Sequence, residues 1–176
     1  TWRGRPRPFP IPTSGGGTST QLFFADLTHT GRGLHANTFP LGMAFVASYA
    51  KECLGDDFEV EVFKFPEDLA QALVTTPPTI LSLSNYSWNF ELAYKFSTLA
   101  KQKNPNIITI FGGPNFPVLS SERKEFLSLR PAIDFYIENE GEVGFVELVR
   151  KIKKYDFDVG KLKYSKESVT NCIYLV

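Results

Sequence analysis

Five short apolar runs, at 22–25, 58–62, 79–83, 107–111 and 133–137, each lead into a stretch with helical spacing, and this alternation constrains the chain more than any other feature. Apolar runs of four or five residues between turn signals are typical of strands buried on both faces, and parallel strands need a crossover, usually a helix, between them. The pattern predicts an α/β fold, a flavodoxin-like or Rossmann-like doubly wound parallel sheet of five strands. The second run, Phe58-Glu59-Val60-Glu61-Val62, alternates strictly and suits an edge strand, whereas the third and fourth runs suit the centre. Right-handed crossovers then give the order 2-1-3-4-5.

The helical stretches carry their own start and stop signals. In 41–54, Pro40 sits where a first-turn proline is tolerated, Gly55 follows the last apolar residue, and Leu41, Ala44, Phe45, Ser48 and Tyr49 share a face. A helix over 66–74 ends at Thr76-Pro77-Pro78. The longest pattern, 88–103, has Ser87 as candidate N-cap, a stripe of Leu92, Phe96 and Leu99 beside Ala93 and Ala100, and a stop at Asn104-Pro105. A short helix is expected at 121–129, and a last one at 142–154 with Phe145, Leu148, Val149 and Ile152 at helical spacing. Residues 1–20, with four prolines, three arginines and a Ser-Gly-Gly-Gly run, read as a flexible extension. The ligand-holding domain is placed at 21–155. Residues 156–176, with a weak strand signal at 172–176, read as a linker or the start of a following domain.

A chain of 176 residues that is 43% hydrophobic can bury one sizeable core. Its formal net charge is zero and no basic helix face carries interleaved aromatics, so nucleic acid is not an expected partner. Cys53 and Cys172 are far apart in sequence and suggest neither a disulfide framework nor a thiolate metal site. No apolar stretch approaches the roughly 20 residues that span a bilayer, and a secretory signal core is missing. A soluble cytoplasmic protein without a membrane partner is expected.

All the strand-end loops of a parallel sheet open on one edge, where open α/β sheets bind ligands. Three adjacent ones are rich in small or polar residues: Ser84-Asn85-Tyr86-Ser87, Gly112-Gly113-Pro114-Asn115, and Glu138-Asn139-Glu140-Gly141-Glu142. Glycine pairs there permit close backbone approach of a flat ligand. The first loop, 26–36, holds both histidines, His29 and His35, each open to a role as base, ligand or plain loop residue. No nucleophile turn or third metal ligand supports the first two roles, so no catalytic and no metal-ligating residue is assigned. The segment from Gly31 through Gly33 to Ala36 fits a dinucleotide fingerprint in form, yet Asn37-Thr38-Phe39-Pro40 separates it from the helix and no acidic residue closes strand two. Ser84 stands where a phosphoacceptor domain wants an aspartate.

The order of these pieces resembles the cobalamin-binding domains, specifically the N-terminal domain of cobalamin-dependent radical S-adenosylmethionine enzymes, over about residues 21–154. The resemblance rests on Phe39-Pro40-Leu41-Gly42, Ser84-Asn85-Tyr86, Ile110-Phe111-Gly112-Gly113-Pro114-Asn115, and Glu138-Asn139-Glu140-Gly141-Glu142 followed by Phe145 and Leu148. In the wider family an Asp-x-His-x-x-Gly loop supplies a histidine to the lower face of cobalt. Here the loop reads Asp26-Leu27-Thr28-His29-Thr30-Gly31, with Thr28 in the ligand position. A hydroxyl is a poor cobalt ligand beside an imidazole.

The resemblance implies that Ser84 contacts the nucleotide tail of cobalamin, that Gly112 and Gly113 make room for it, and that Thr28, His29, Thr30, Gly31, Gly33 and Leu34 lie under the corrin ring. Asn85, Tyr86, Ser87, Pro114, Asn115, Glu140 and Gly141 complete the implied cofactor-binding set. It further implies a module of a larger enzyme, a methyltransferase among the options, whose downstream radical barrel binds S-adenosylmethionine and a [4Fe-4S] cluster. This chain has no Cys-x-x-x-Cys-x-x-Cys motif to hold that cluster. The alternatives are a flavodoxin-like binding or regulatory domain for a nucleotide or flavin, and a pure interaction module.

Overall fold

The computed structural model describes residues 19–29 and 39–176. Along the chain it forms β1 (Thr20–Ala25), α1 (Leu41–Leu54), β2 (Phe58–Phe63), α2 (Pro66–Thr75), β3 (Ile80–Ser84), α3 (Phe90–Lys103), β4 (Ile108–Gly112), α4 (Ser120–Ser128), β5 (Phe135–Ile137), α5 (Gly141–Lys154), α6 (Val159–Ser165) and β6 (Cys172–Ile173). The six strands lie in the order β2-β1-β3-β4-β5-β6, and every pairing is parallel except that of β6 with β5. The expected order therefore holds, with six strands in place of five. After α6 the chain turns back, pairs Tyr136 with Ile173, and the Glu138 N–H donates to the Asn171 carbonyl at 2.8 Å. Gly144 makes this fit possible, since a Cβ there would stand 2.6 Å from the Thr170 carbonyl oxygen. Leu162 of α6 is buried in the same core as α1 and α5.

Strand periodicity sorts the apolar side chains into two layers. Leu22, Phe24, Ile80, Ile108 and Ile110 face α1 and α5, while Phe23, Ala25, Leu81, Leu83 and Phe111 face α2, α3 and α4. Phe24 meets Phe145 on one face, with ring centroids 4.8 Å apart, and Phe23 meets Phe63 on the other at 4.7 Å.

The helix α1 presents a different face from the one its bulky residues suggest. On α1 the buried residues are Met43, Ala47 and Ala50, whereas Leu41 and Phe45 are each 56% exposed. On α3, Phe90, Ala93, Ser97 and Ala100 face inward, Leu92 and Phe96 pack half-buried against the same core as expected, and Leu99 is exposed. The sheet already carries large Phe, Ile and Leu side chains, so close approach is achieved by helix faces built from small residues. In α5 the expected face, Phe145, Leu148, Val149 and Ile152, is the buried one. Among the described residues no helix is long and apolar enough to cross a membrane.

Candidate functional site

In-register pairing sets two rows of side chains across the sheet face under α1 and α5. The inner row runs Phe24, Ser82, Ile110, Phe135. One step nearer the strand ends, Ser84 pairs with Gly112 and Gly112 with Ile137. Bulk is missing at Ser82, Ser84 and Gly112, in the middle of the sheet, and a cleft of about 340 Å³ opens there between the sheet, α1 and the start of α5. That volume lies within the range of small-molecule sites. The helices leave the mouth open through glycines: Gly42 stands beside the Tyr86 hydroxyl, and at Gly141 a Cβ would come within 3.2 Å of a Val46 methyl.

The rim is held by two hydrogen-bond networks. In the first, the Ser84 hydroxyl donates to Asp26 Oδ1 at 2.6 Å, and Asn89 Nδ2 donates to Asp26 Oδ1 at 3.0 Å and to Ser84 Oγ at 2.9 Å. Asn89 Oδ1 accepts from the Tyr86 N–H at 2.9 Å. Asn89 thus ties β1, β3 and the turn before α3 together. This is why α3 begins at Phe90 rather than at Trp88, with Asn89 and not Ser87 preceding it. In the second, Asn85 Nδ2 donates to the Asn115 carbonyl at 2.7 Å and to the Tyr136 hydroxyl at 2.9 Å, and Asn115 Nδ2 donates to Asn85 Oδ1 at 2.9 Å. The Tyr136 hydroxyl donates to the Gly113 carbonyl at 2.8 Å. Burial pushes the Tyr136 phenol well above its ordinary pKa, so it stays protonated and keeps both bonds.

Removing that hydroxyl leaves the Gly113 carbonyl without its partner in a half-buried loop. Tyr136→Phe should therefore cost about 1–3 kcal/mol in a urea denaturation. A variant as stable as the parent would show that this bond does not hold the loop.

The structure brings Ser84, Tyr86, Gly112, Gly113, Glu140 and Gly141 to the cleft. Asn85 and Asn115 serve the loop network, and Ser87 and Pro114 are exposed beside it. The Thr28 N–H donates to the Lys64 carbonyl at 3.1 Å, and the exposed His29 donates Nε2–H to the Trp88 carbonyl at 2.9 Å. Thr30, Gly31, Gly33, Leu34 and His35 lie outside the described residues. Among the described residues no group of three His, Cys, Asp or Glu could hold a metal ion. The sequence motifs include Asp26 but do not mark Ser82, Asn89 or Tyr136. For Ser82 a signal exists, because residues two apart on a strand share a face.

The model of the B12 binding domain matches residues 32–149. The chain belongs to the B12-binding domain family. This B12-binding domain is 33% identical over 122 residues to a 2-(S-pantetheinyl)-carbapenam-3-carboxylate methyltransferase of Streptantibioticus cattleyicolor, covering 66% of this chain and 18% of the relative. It is 32% identical over 137 residues to the cobalamin-dependent radical SAM methyltransferase TokK of Streptomyces tokunonensis, covering 71% of this chain and 19% of TokK. The chain thus spans about a fifth of the length of these relatives. The fold is that of the corresponding part of OxsB, a cobalamin-dependent S-adenosylmethionine radical enzyme solved with aqua-cobalamin, with a TM-score of 0.58 at 17% identity over 78% of this B12-binding domain and 19% of OxsB.

Proposed function

We propose that the cleft takes the nucleotide tail of cobalamin while the corrin ring lies across the strand ends, and that the chain is the cobalamin-holding module of a larger radical enzyme that transfers methyl groups. The observation that carries this reading is the gap in the sheet face at Ser82, Ser84 and Gly112, in a chain of the B12-binding family. Large residues fill the row on either side, so the gap has no packing purpose of its own. Bound cobalamin would supply a cobalt centre able to move a methyl group. The protein's part is to seat the tail, orient the ring and keep water from the lower face.

With no three-cysteine motif in the sequence, the cluster and S-adenosylmethionine are assigned to a further domain of the enzyme. Exposed Phe39, Leu41 and Trp88, near the strand ends, suit burial under the corrin and that domain.

Incubation with hydroxocobalamin followed by gel filtration tests the reading. Red protein is expected, and protein that elutes colourless, or that retains flavin or a nucleotide instead, would overturn it. The axial arrangement has its own test. Thr28 occupies the usual histidine position and His29 Nε2 is engaged by Trp88, so cobalt is proposed to bind no imidazole of the protein. With the base drawn into the cleft, electron paramagnetic resonance of bound cob(II)alamin should show cobalt lines without nitrogen splitting. A triplet on those lines would sink this arrangement.

A further inference from the structure

One wall of the cleft is a turn. Asn139, Glu140, Gly141 and Glu142, between β5 and the first turn of α5, line it, and Asn139 has the left-handed φ of +58°. A residue other than glycine holds that conformation only where its surroundings fix it. β5 is three residues long and Asn139 and Glu140 are exposed, so the turn has little packing of its own.

What fixes it comes from the strap of chain that follows α6. Asn171, itself left-handed at φ +53°, grips the turn on both sides of Asn139. Its carbonyl accepts from the Glu138 N–H at 2.8 Å, and its Nδ2 donates to the Glu140 carbonyl at 3.4 Å. The neighbours of Asn171 seat it in turn. The Thr170 N–H donates to Glu147 Oε2 at 2.9 Å, Cys172 pairs with Ile137, and the Tyr174 ring stands 5.5 Å from that of Phe135. All of these strap residues lie beyond residue 149, where the match to the B12-binding family ends.

We propose that Asn171 is a positioning residue for the cofactor: it holds the turn at 138–141 in the shape that walls the cleft, which makes the strap a working part of the site. This assignment rests on the tail lying in the cleft. The effect is one of pre-organisation. A turn released from Asn171 spends part of its time in other shapes, and the affinity for the tail falls with the fraction that stays competent.

Asn171→Asp is the direct probe. Aspartate keeps the size of the side chain and its tolerance of a left-handed φ, but as a carboxylate it has no proton to give the Glu140 carbonyl. This variant should bind cobalamin roughly threefold to tenfold more weakly than the parent chain, and should bind cobinamide, which has no nucleotide, unchanged. Asn171→Gly keeps the backbone geometry, loses the same donor and should show the same split. On the parent chain, where no variant has to fold, cobalamin should slow hydrogen exchange across 138–142 and 171–173 together. Variants that bind cobalamin as tightly as the parent, an equal loss for cobalamin and cobinamide, or protection of the turn without the strap would overturn the assignment of Asn171. Cobinamide binding the parent as tightly as cobalamin would instead overturn the seating of the tail, and no binding of any corrinoid would overturn the proposed function itself.

Discussion

Gly113→Ala should lose about 3 kcal/mol of folding stability, whereas Gly112→Ala should lose about 1 kcal/mol or less. The two glycines are adjacent and look equivalent in sequence, but their backbones differ. Gly113 has φ +127°, a conformation that costs an L-residue about 1–3 kcal/mol. A Cβ at Gly113 would also stand 2.6 Å from the Asn85 carbonyl oxygen and 3.1 Å from the Asn85 nitrogen. Those backbone atoms cannot yield, because the Asn85 N–H donates to the Gly112 carbonyl at 2.6 Å and the Asn85 carbonyl accepts from the Asn115 N–H at 3.2 Å. At Gly112 the nearest atom is the Ile137 carbonyl oxygen at 3.2 Å, and a shift of a few tenths of an ångström relieves the contact. Chemical denaturation of the two variants checks the ranking. Equal losses would show that the loop after β4 relaxes around a side chain at Gly113.

That contrast shows how far the sequence could be read. Alternation of apolar runs and helical spacing gave the strand order, because a buried parallel sheet leaves its period in the sequence. The sixth strand is a weak signal in sequence, since Cys172–Ile173 is two residues long and its seat depends on the Glu138–Asn171 backbone bond and on Gly144, both made with a distant part of the chain. The packed face of α1 departs from its bulky residues for a physical reason: the sheet already supplies the bulk, and the helix meets it through Met43, Ala47 and Ala50. At the site, the glycine pair and Ser84 were visible as small residues in loops. The bonds that occupy Asn85, Asn89 and Tyr136 join residues up to 63 positions apart, and no local pattern encodes them.

Ser82→Leu should bind cobalamin at least about a hundredfold more weakly, a loss near 2.7 kcal/mol, while remaining folded. The substitution places an ordinary apolar side chain between Phe24 and Ile110, completing the inner row that the serine interrupts. Leucine has room there, because the cleft of about 340 Å³ begins at this position. Burial of the new methylenes stabilises the fold at roughly 0.8 kcal/mol each, less whatever crowding against Met43 and Phe145 costs. A melting temperature at or above that of the parent is therefore expected. The same methylenes occupy the floor on which the base would rest, so the tail cannot reach its depth without displacing them. Cobinamide separates this effect from general damage: lacking the nucleotide, it should bind the parent and Ser82→Leu alike. If the variant took up cobalamin as tightly as the parent, the tail would lie elsewhere, and the gap in the sheet face would need another occupant.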